Sequence, residues 1–212
     1  MEFFKAPEQW PPQAPSPEPE PKPWHGPPLR TLPGHLAETL LLAHTDRVAI
    51  AVSAFAVYPT GFTFALETVP RRYSPREWAG LDHFGFGHGI GEQHQGGLPP
   101  ELLRFGVEFA DGSRATSLDM LNRRHQDPDA VPSAPVLWSM GGGGGGGRWS
   151  HNVWVWPLPP AGPLTFACEW PALEIPLTRR DIDGELLRQA ANRSRLLWDD
   201  PGEPPPAPSA RR

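Results

Sequence analysis

The chain has 212 residues, a formal net charge of −5 and one cysteine, with 30 prolines and 22 glycines. One cysteine excludes an internal disulfide, and an acidic chain whose basic residues are scattered, apart from pairs such as Arg71-Arg72 and Arg179-Arg180 that read as solvated surface, argues against general nucleic-acid binding. No apolar run of about 18 residues offers a membrane span, and no basic stretch leading into an apolar one opens the chain, so a cytoplasmic protein is expected.

Composition divides the chain. Eleven of the first 33 residues are proline, and residues 201–212 hold five more. Such segments bury too little apolar surface to offset the entropy of ordering. Residues 1–29 and 201–212 are therefore expected to be disordered proline-rich tails, with a stiff polyproline spacer at 15–23. Residues 30–200 are expected to form a single β-rich domain, long enough to bury a core.

Within that domain, 36–42 reads as a strand or short helix and 44–47 as a turn. Residues 48–58 form the strongest early strand. Val48, Ile50, Val52, Ala54 and Ala56 alternate on one face and Phe55 and Val57 on the other, as in a strand buried on both sides. Pro59-Thr60-Gly61 turns the chain into a second strand, with Phe62, Phe64 and Leu66 on one face, making a β-hairpin. Residues 70–101 break the pattern and read as a long loop insertion with a helical turn near 74–79. Alternation resumes at Leu103, Phe105, Val107 and Phe109, and Asp111-Gly112 signals a hairpin back along 114–118.

A further strand begins at 135–138 and meets seven consecutive glycines, Gly141 to Gly147, expected to be a slack hairpin tip. It resumes over 148–156, with His151, Val153 and Val155 on one face and Asn152, Trp154 and Trp156 on the other. Leu164, Phe166, Cys168 and Trp170 define another strand, and 173–177 an edge strand limited by prolines. Thr178 as N-cap and a 3.6-residue spacing through Ile182, Leu186, Arg193 and Leu197 predict one C-terminal helix over 179–198, weakened by Gly184. The predicted class is mainly β, an antiparallel sandwich with one C-terminal helix; a twisted barrel is the alternative.

Three features bear on chemistry. His83, His88 and His94, with Asp82 and Glu92, lie in a glycine-rich stretch that could curl around a divalent metal, but their spacing matches no standard zinc pattern. No other cofactor is expected. The glycine run with Arg148 could form a backbone nest for an anion. Trp154 and Trp156 make an exposed aromatic patch for a protein partner or an apolar ligand if the valine face of their strand is the core, and are core themselves if it is not. Catalytic patterns are missing: Ser150 and His151 are adjacent and point to opposite faces of a strand, and no GxSxG, HExxH or CxxC occurs. Cys168 reads as a buried strand residue.

The segments Tyr58-Pro59-Thr60-Gly61-Phe62, Leu103-Arg104-Phe105-Gly106-Val107-Glu108-Phe109-Ala110-Asp111-Gly112 and Trp154-Val155-Trp156-Pro157-Leu158-Pro159-Pro160 resemble a group of uncharacterised hypothetical proteins from high-GC bacteria. The likeness extends through the glycine run and 164–171, over roughly 24–198. It implies no activity and carries over no functional residue. The expected function is a non-enzymatic binding or protein-interaction module on a β-sandwich. The alternatives are a small metal-dependent enzyme built on the 83–94 stretch and a purely structural accessory domain.

Overall fold

The computed structural model describes residues 22–78, 81, 97–119, 130–145 and 147–198. They form an antiparallel β-sandwich. The larger sheet contains β2 (Gly34–Leu36), β3 (Leu40–His44), β4 (Val48–Tyr58), β5 (Gly61–Pro70), β8 (Val136–Gly145) and β9 (Arg148–Trp156), ordered β2-β4-β5-β9-β8, with β3 paired further along β4. The smaller sheet is β11 (Ile175–Asp183), β10 (Pro163–Trp170), β6 (Arg104–Glu108) and β7 (Arg114–Thr116), in that order. No pairing among the described residues joins the sheets into a barrel. A two-stranded ribbon, β1 (Thr31–Leu32) with β12 (Arg195–Leu196), ties the two ends of the described chain together. A short helix, α1 (Pro75–Trp78), follows β5, where the sequence predicts a helical turn.

The core is aromatic. Phe64 packs at 5.4 Å from Phe166 and 5.5 Å from Phe105, and Phe55 lies 5.9 Å from Phe166, so rings from both sheets interdigitate. Each is almost fully buried. Offset and edge-to-face pairs of this kind add to the stabilisation that area burial already supplies.

Several sequence expectations change. The alternation along β4 does not run through. A bulge between Ser53 and Ala56 places Ala54 at φ 54° and shifts the phase, so Phe55 and Val57 join Val48, Ile50 and Val52 on the core face. An extra residue in one strand moves every later side chain to the opposite side. The segment 36–42 is two short strands along one edge of β4 rather than one element. The return strand after Asp111-Gly112 ends at Thr116.

The C-terminal helix is the largest correction. Residues 179–183 are not helical. They extend β11, where Arg179 pairs with Ala167 and Asp183 with Pro163 of β10. The helix α2 covers only Gly184–Ala191, capped by Asp183, whose side chain accepts from Glu185 N, and not by Thr178. Gly184 is therefore the first helical residue. Its bare Cα is needed because a Cβ there would lie 2.7 Å from Pro160 O and 2.8 Å from Gly162 O. Sheet pairing outweighs a marginal helical periodicity here, as tertiary context commonly does.

The glycine run is not a slack tip. Gly141–Gly145 are ladder residues of β8, paired in register with Asn152 to Arg148 of β9, and Gly147 lies in a turn. Gly142 faces His151 and Gly144 faces Trp149. A Cβ on Gly142 would meet Ser150 O at 2.5 Å and His151 Nδ1 at 2.6 Å, and one on Gly144 would meet Trp149 Cγ at 2.7 Å. Gly143 and Gly145 face open space. Alternate glycines are thus required by two large side chains lying across the strand. Gly142→Ala and Gly144→Ala are each expected to cost about 1–3 kcal/mol by overpacking. Gly143→Ala should be neutral or stabilising by about 0.5–1 kcal/mol, because glycine is the costlier strand residue. Equal urea midpoints for all three variants would refute this alternation.

Candidate functional site

The outer face of β8 and β9 carries the aromatic residues that the sequence singles out. Both valines, Val153 and Val155, are buried in the core, but Trp154 is fully buried as well and Trp156 is half-buried. The strand is therefore covered on both sides. What covers the tryptophan side is the chain itself, through residues 22–26, which lie inside the stretch that composition assigns to the N-terminal tail.

This segment turns back on itself, with His25 N donating to Lys22 O at 2.8 Å. Trp154 Nε1 donates to Pro23 O at 3.0 Å. Trp24 packs edge-on against Trp156, with ring centroids 6.0 Å apart, and His25 lies 5.2 Å from Trp138, tilted over it. Lys22 Nζ lies 5.7 Å from the Trp24 ring centroid. Trp138 and Trp154 are direct cross-strand partners, and Tyr58 closes the other side at 5.8 Å from Trp154. Partial burial there holds the Tyr58 phenol above its usual pKa range. Gly61 makes room for the Trp154 ring, since a Cβ would come within 2.8 Å of it. The result is a floor of aromatic rings with one indole N–H aimed at a backbone carbonyl.

Arg148 shares the outer side of β9 but stands six residues from Trp154, and its guanidinium pairs with Glu67. It is not brought together with the aromatic face. Of the glycine run read as a possible anion nest, Gly141–Gly145 hold strand pairing with β9. His83, His88 and His94 lie outside the described residues. Among the described residues no group of three or more metal-ligating side chains converges, and no helix is long and apolar enough to cross a membrane.

Sequence reading misses one pair. Ser139 Oγ lies 2.6 Å from His151 Nε2, with His151 buried on the core side. The bulge between Ser139 and Gly141 brings this serine opposite the ring; no local spacing signals it. Cys168 is buried as expected. Burial pushes its thiol pKa up against smaller opposing effects of Thr178 and Arg180, so the thiolate needed of a nucleophile is disfavoured.

The outer face of the smaller sheet bears a shallow depression of about 290 Å³ floored by Gly106 and Ala167, which pair across the strands. Its charges satisfy one another: Arg104 pairs with Glu169, and Arg114 and Arg179 both pair with Glu108 and hold that carboxyl below its usual range.

The fold and this face define a two-sheet antiparallel sandwich whose aromatic outer surface grips a proline-containing segment. No protein-family model, curated protein or solved structure matches the chain.

Proposed function

We propose that the protein is a non-catalytic binding module, and that the face formed by Tyr58, Trp138, Trp154 and Trp156 binds proline-rich peptide. The chain's own segment at 22–26 occupies that face in cis. The observation that carries the reading is the hydrogen bond from Trp154 Nε1 to the Pro23 carbonyl, flanked by aromatic rings. The seated segment is a turn closed by the hydrogen bond from His25 N to Lys22 O; Pro23 pre-sets the φ of that turn, so its carbonyl is presented to the indole at little entropic cost. Residues 7–23 supply eight prolines leading into the seated segment.

The test uses the full chain carrying Trp24→Ala, which loosens the cis segment, and a synthetic peptide of residues 15–26. The Trp154 indole N–H is followed by NMR during titration. Saturable binding by the variant is expected, with much weaker binding by the wild-type chain, because a tethered competitor acts at an effective concentration on the order of millimolar. A Trp154 signal that exchanges freely with solvent in the variant yet ignores millimolar peptide would sink the reading and leave the segment as plain intramolecular packing.

A further inference from the structure

A second surface carries a different chemistry, independent of the aromatic face. At the far end of the larger sheet, the β3–β4 turn and the chain leaving β5 enclose a recess of about 340 Å³ lined by Asp46, Arg47, Arg71, Arg72 and Trp78. Most arginines on the sheet faces have a carboxylate: Arg104, Arg114, Arg148 and Arg179 each pair with glutamate, as does Arg188 on α2. Arg47, Arg71 and Arg72 have no such partner among the described residues. Among the described residues Asp46 is the one carboxylate lining the recess, against three arginines, on a chain whose net charge is −5.

The backbone beneath them is fixed. Arg71 N donates to Arg47 O at 2.8 Å, tying the two segments together. Thr45 Oγ1 accepts from Arg47 N and Val48 N, each at 3.1 Å, and Thr45 N donates to Val48 O at 2.9 Å. Trp78 forms a rigid wall, stacked on Trp149 at 5.6 Å. Like charges held together without counter-charges repel one another, so an anion that enters relieves that repulsion as well as gaining its own contacts. Guanidinium forks match tetrahedral phosphate oxygens, two donors to two acceptors.

We propose that this recess binds the phosphate group of a small phosphomonoester. The volume exceeds that of phosphate alone and leaves room for a compact organic group against the small exposed edge of the otherwise buried Trp78. The overall negative charge of the chain disfavours non-specific accumulation of anions.

The experiment is calorimetric titration of the full chain at fixed ionic strength with inorganic phosphate, phenyl phosphate, sulfate and benzoate. Phosphate and phenyl phosphate are expected to bind saturably with submillimolar to millimolar affinity, phenyl phosphate the tighter, and benzoate not at all. Arg71→Gln and Arg72→Gln should each weaken phenyl phosphate about tenfold, the loss of one charge-assisted hydrogen bond. Asp46→Asn should tighten it several-fold by removing a carboxylate that repels the anion. All three positions are exposed, so unchanged melting curves in the absence of ligand confirm that the variants fold. Equal affinity for phosphate and benzoate, or arginine variants that bind like wild type, would overturn the proposal.

Discussion

Replacing Trp154 by alanine is expected to lower the stability of the fold by about 3–5 kcal/mol, the usual cost of deleting a large buried aromatic side chain. Trp154 is fully buried, yet it sits on the outer side of the sheet and not in the core between the sheets. Its burial depends on Tyr58, on Trp138 across the strand, and on Pro23 above it. The loss therefore has two parts that separate experimentally. Trp154→Phe keeps most of the ring contact and removes the hydrogen bond to Pro23, for about 1 kcal/mol. Trp154→Ala removes both and frees the 22–26 segment, so hydrogen exchange at His25 N should rise to the rate of an unprotected amide. A Trp154→Ala chain that loses less than about 1 kcal/mol in urea unfolding would mean that the outer aromatic face is not part of the cooperative fold.

The architecture was legible because alternation is a local property. β5, β6 and β10 each place an unbroken series of inward residues, Phe62-Phe64-Leu66, Phe105-Val107 and Leu164-Phe166-Cys168-Trp170, and the sequence shows all three. What it hides depends on partners distant along the chain. The bulge at Ala54 is invisible because Ser53, Ala54 and Ala56 are all small, so nothing local marks where the phase shifts. The glycine run has no side chains to alternate. Its strand character comes wholly from Trp149 and His151 on β9, which need the space that Gly144 and Gly142 leave. Residues 179–183 carry charged side chains at a spacing that suits a helix, and only the unpaired edge of β10 recruits them into the sheet.

The candidate site divides in the same way. Alternation poses a choice between valines and tryptophans inside, and the strand is in fact buried on both faces. Composition conceals the resolution, because a segment of Lys, Pro, Trp, His and Gly has the character of a tail. Trp24 and His25 are nevertheless the only aromatic-type residues between Trp10 and the first strand, and they seat on Trp156 and Trp138. An aromatic pair at the end of a proline-rich run is the signal that could have placed the boundary near residue 22. The arginine recess leaves an even fainter trace. Arg47 and the Arg71-Arg72 pair are 24 residues apart in sequence and meet only because β4 and β5 form a hairpin whose open end joins Val48 to Pro70.

Gly34→Ala is expected to be the most damaging single-methyl addition, costing about 3 kcal/mol, the upper end of the usual range for overpacking. Gly34 opens β2 directly beneath the last turn of α2. A Cβ there would lie 2.7 Å from the Ala190 carbonyl carbon and closer still to its oxygen, with Arg193 Cβ at 3.3 Å. The helix cannot simply lift. Leu187 and Ala190 are fully buried beneath it, and Arg193 Nη2 holds His35 O at 2.7 Å. For a domain of this size the loss corresponds to a fall of roughly 6–12 °C in Tm. The obstacle is a backbone carbonyl, so trimming the helix side chain brings no relief: Gly34→Ala combined with Ala190→Gly should be no more stable than Gly34→Ala alone. By contrast Gly112→Ala adds a methyl with nothing within 4 Å and pays only for its φ of 82°, which is on the order of 1 kcal/mol. Differential scanning calorimetry of the three variants separates steric from torsional cost. A Gly34→Ala melt equal to that of Gly112→Ala would show that α2 does not rest on β2 as closely as the packing requires, and a rescue by Ala190→Gly would place the clash in the side chain instead of the helix backbone.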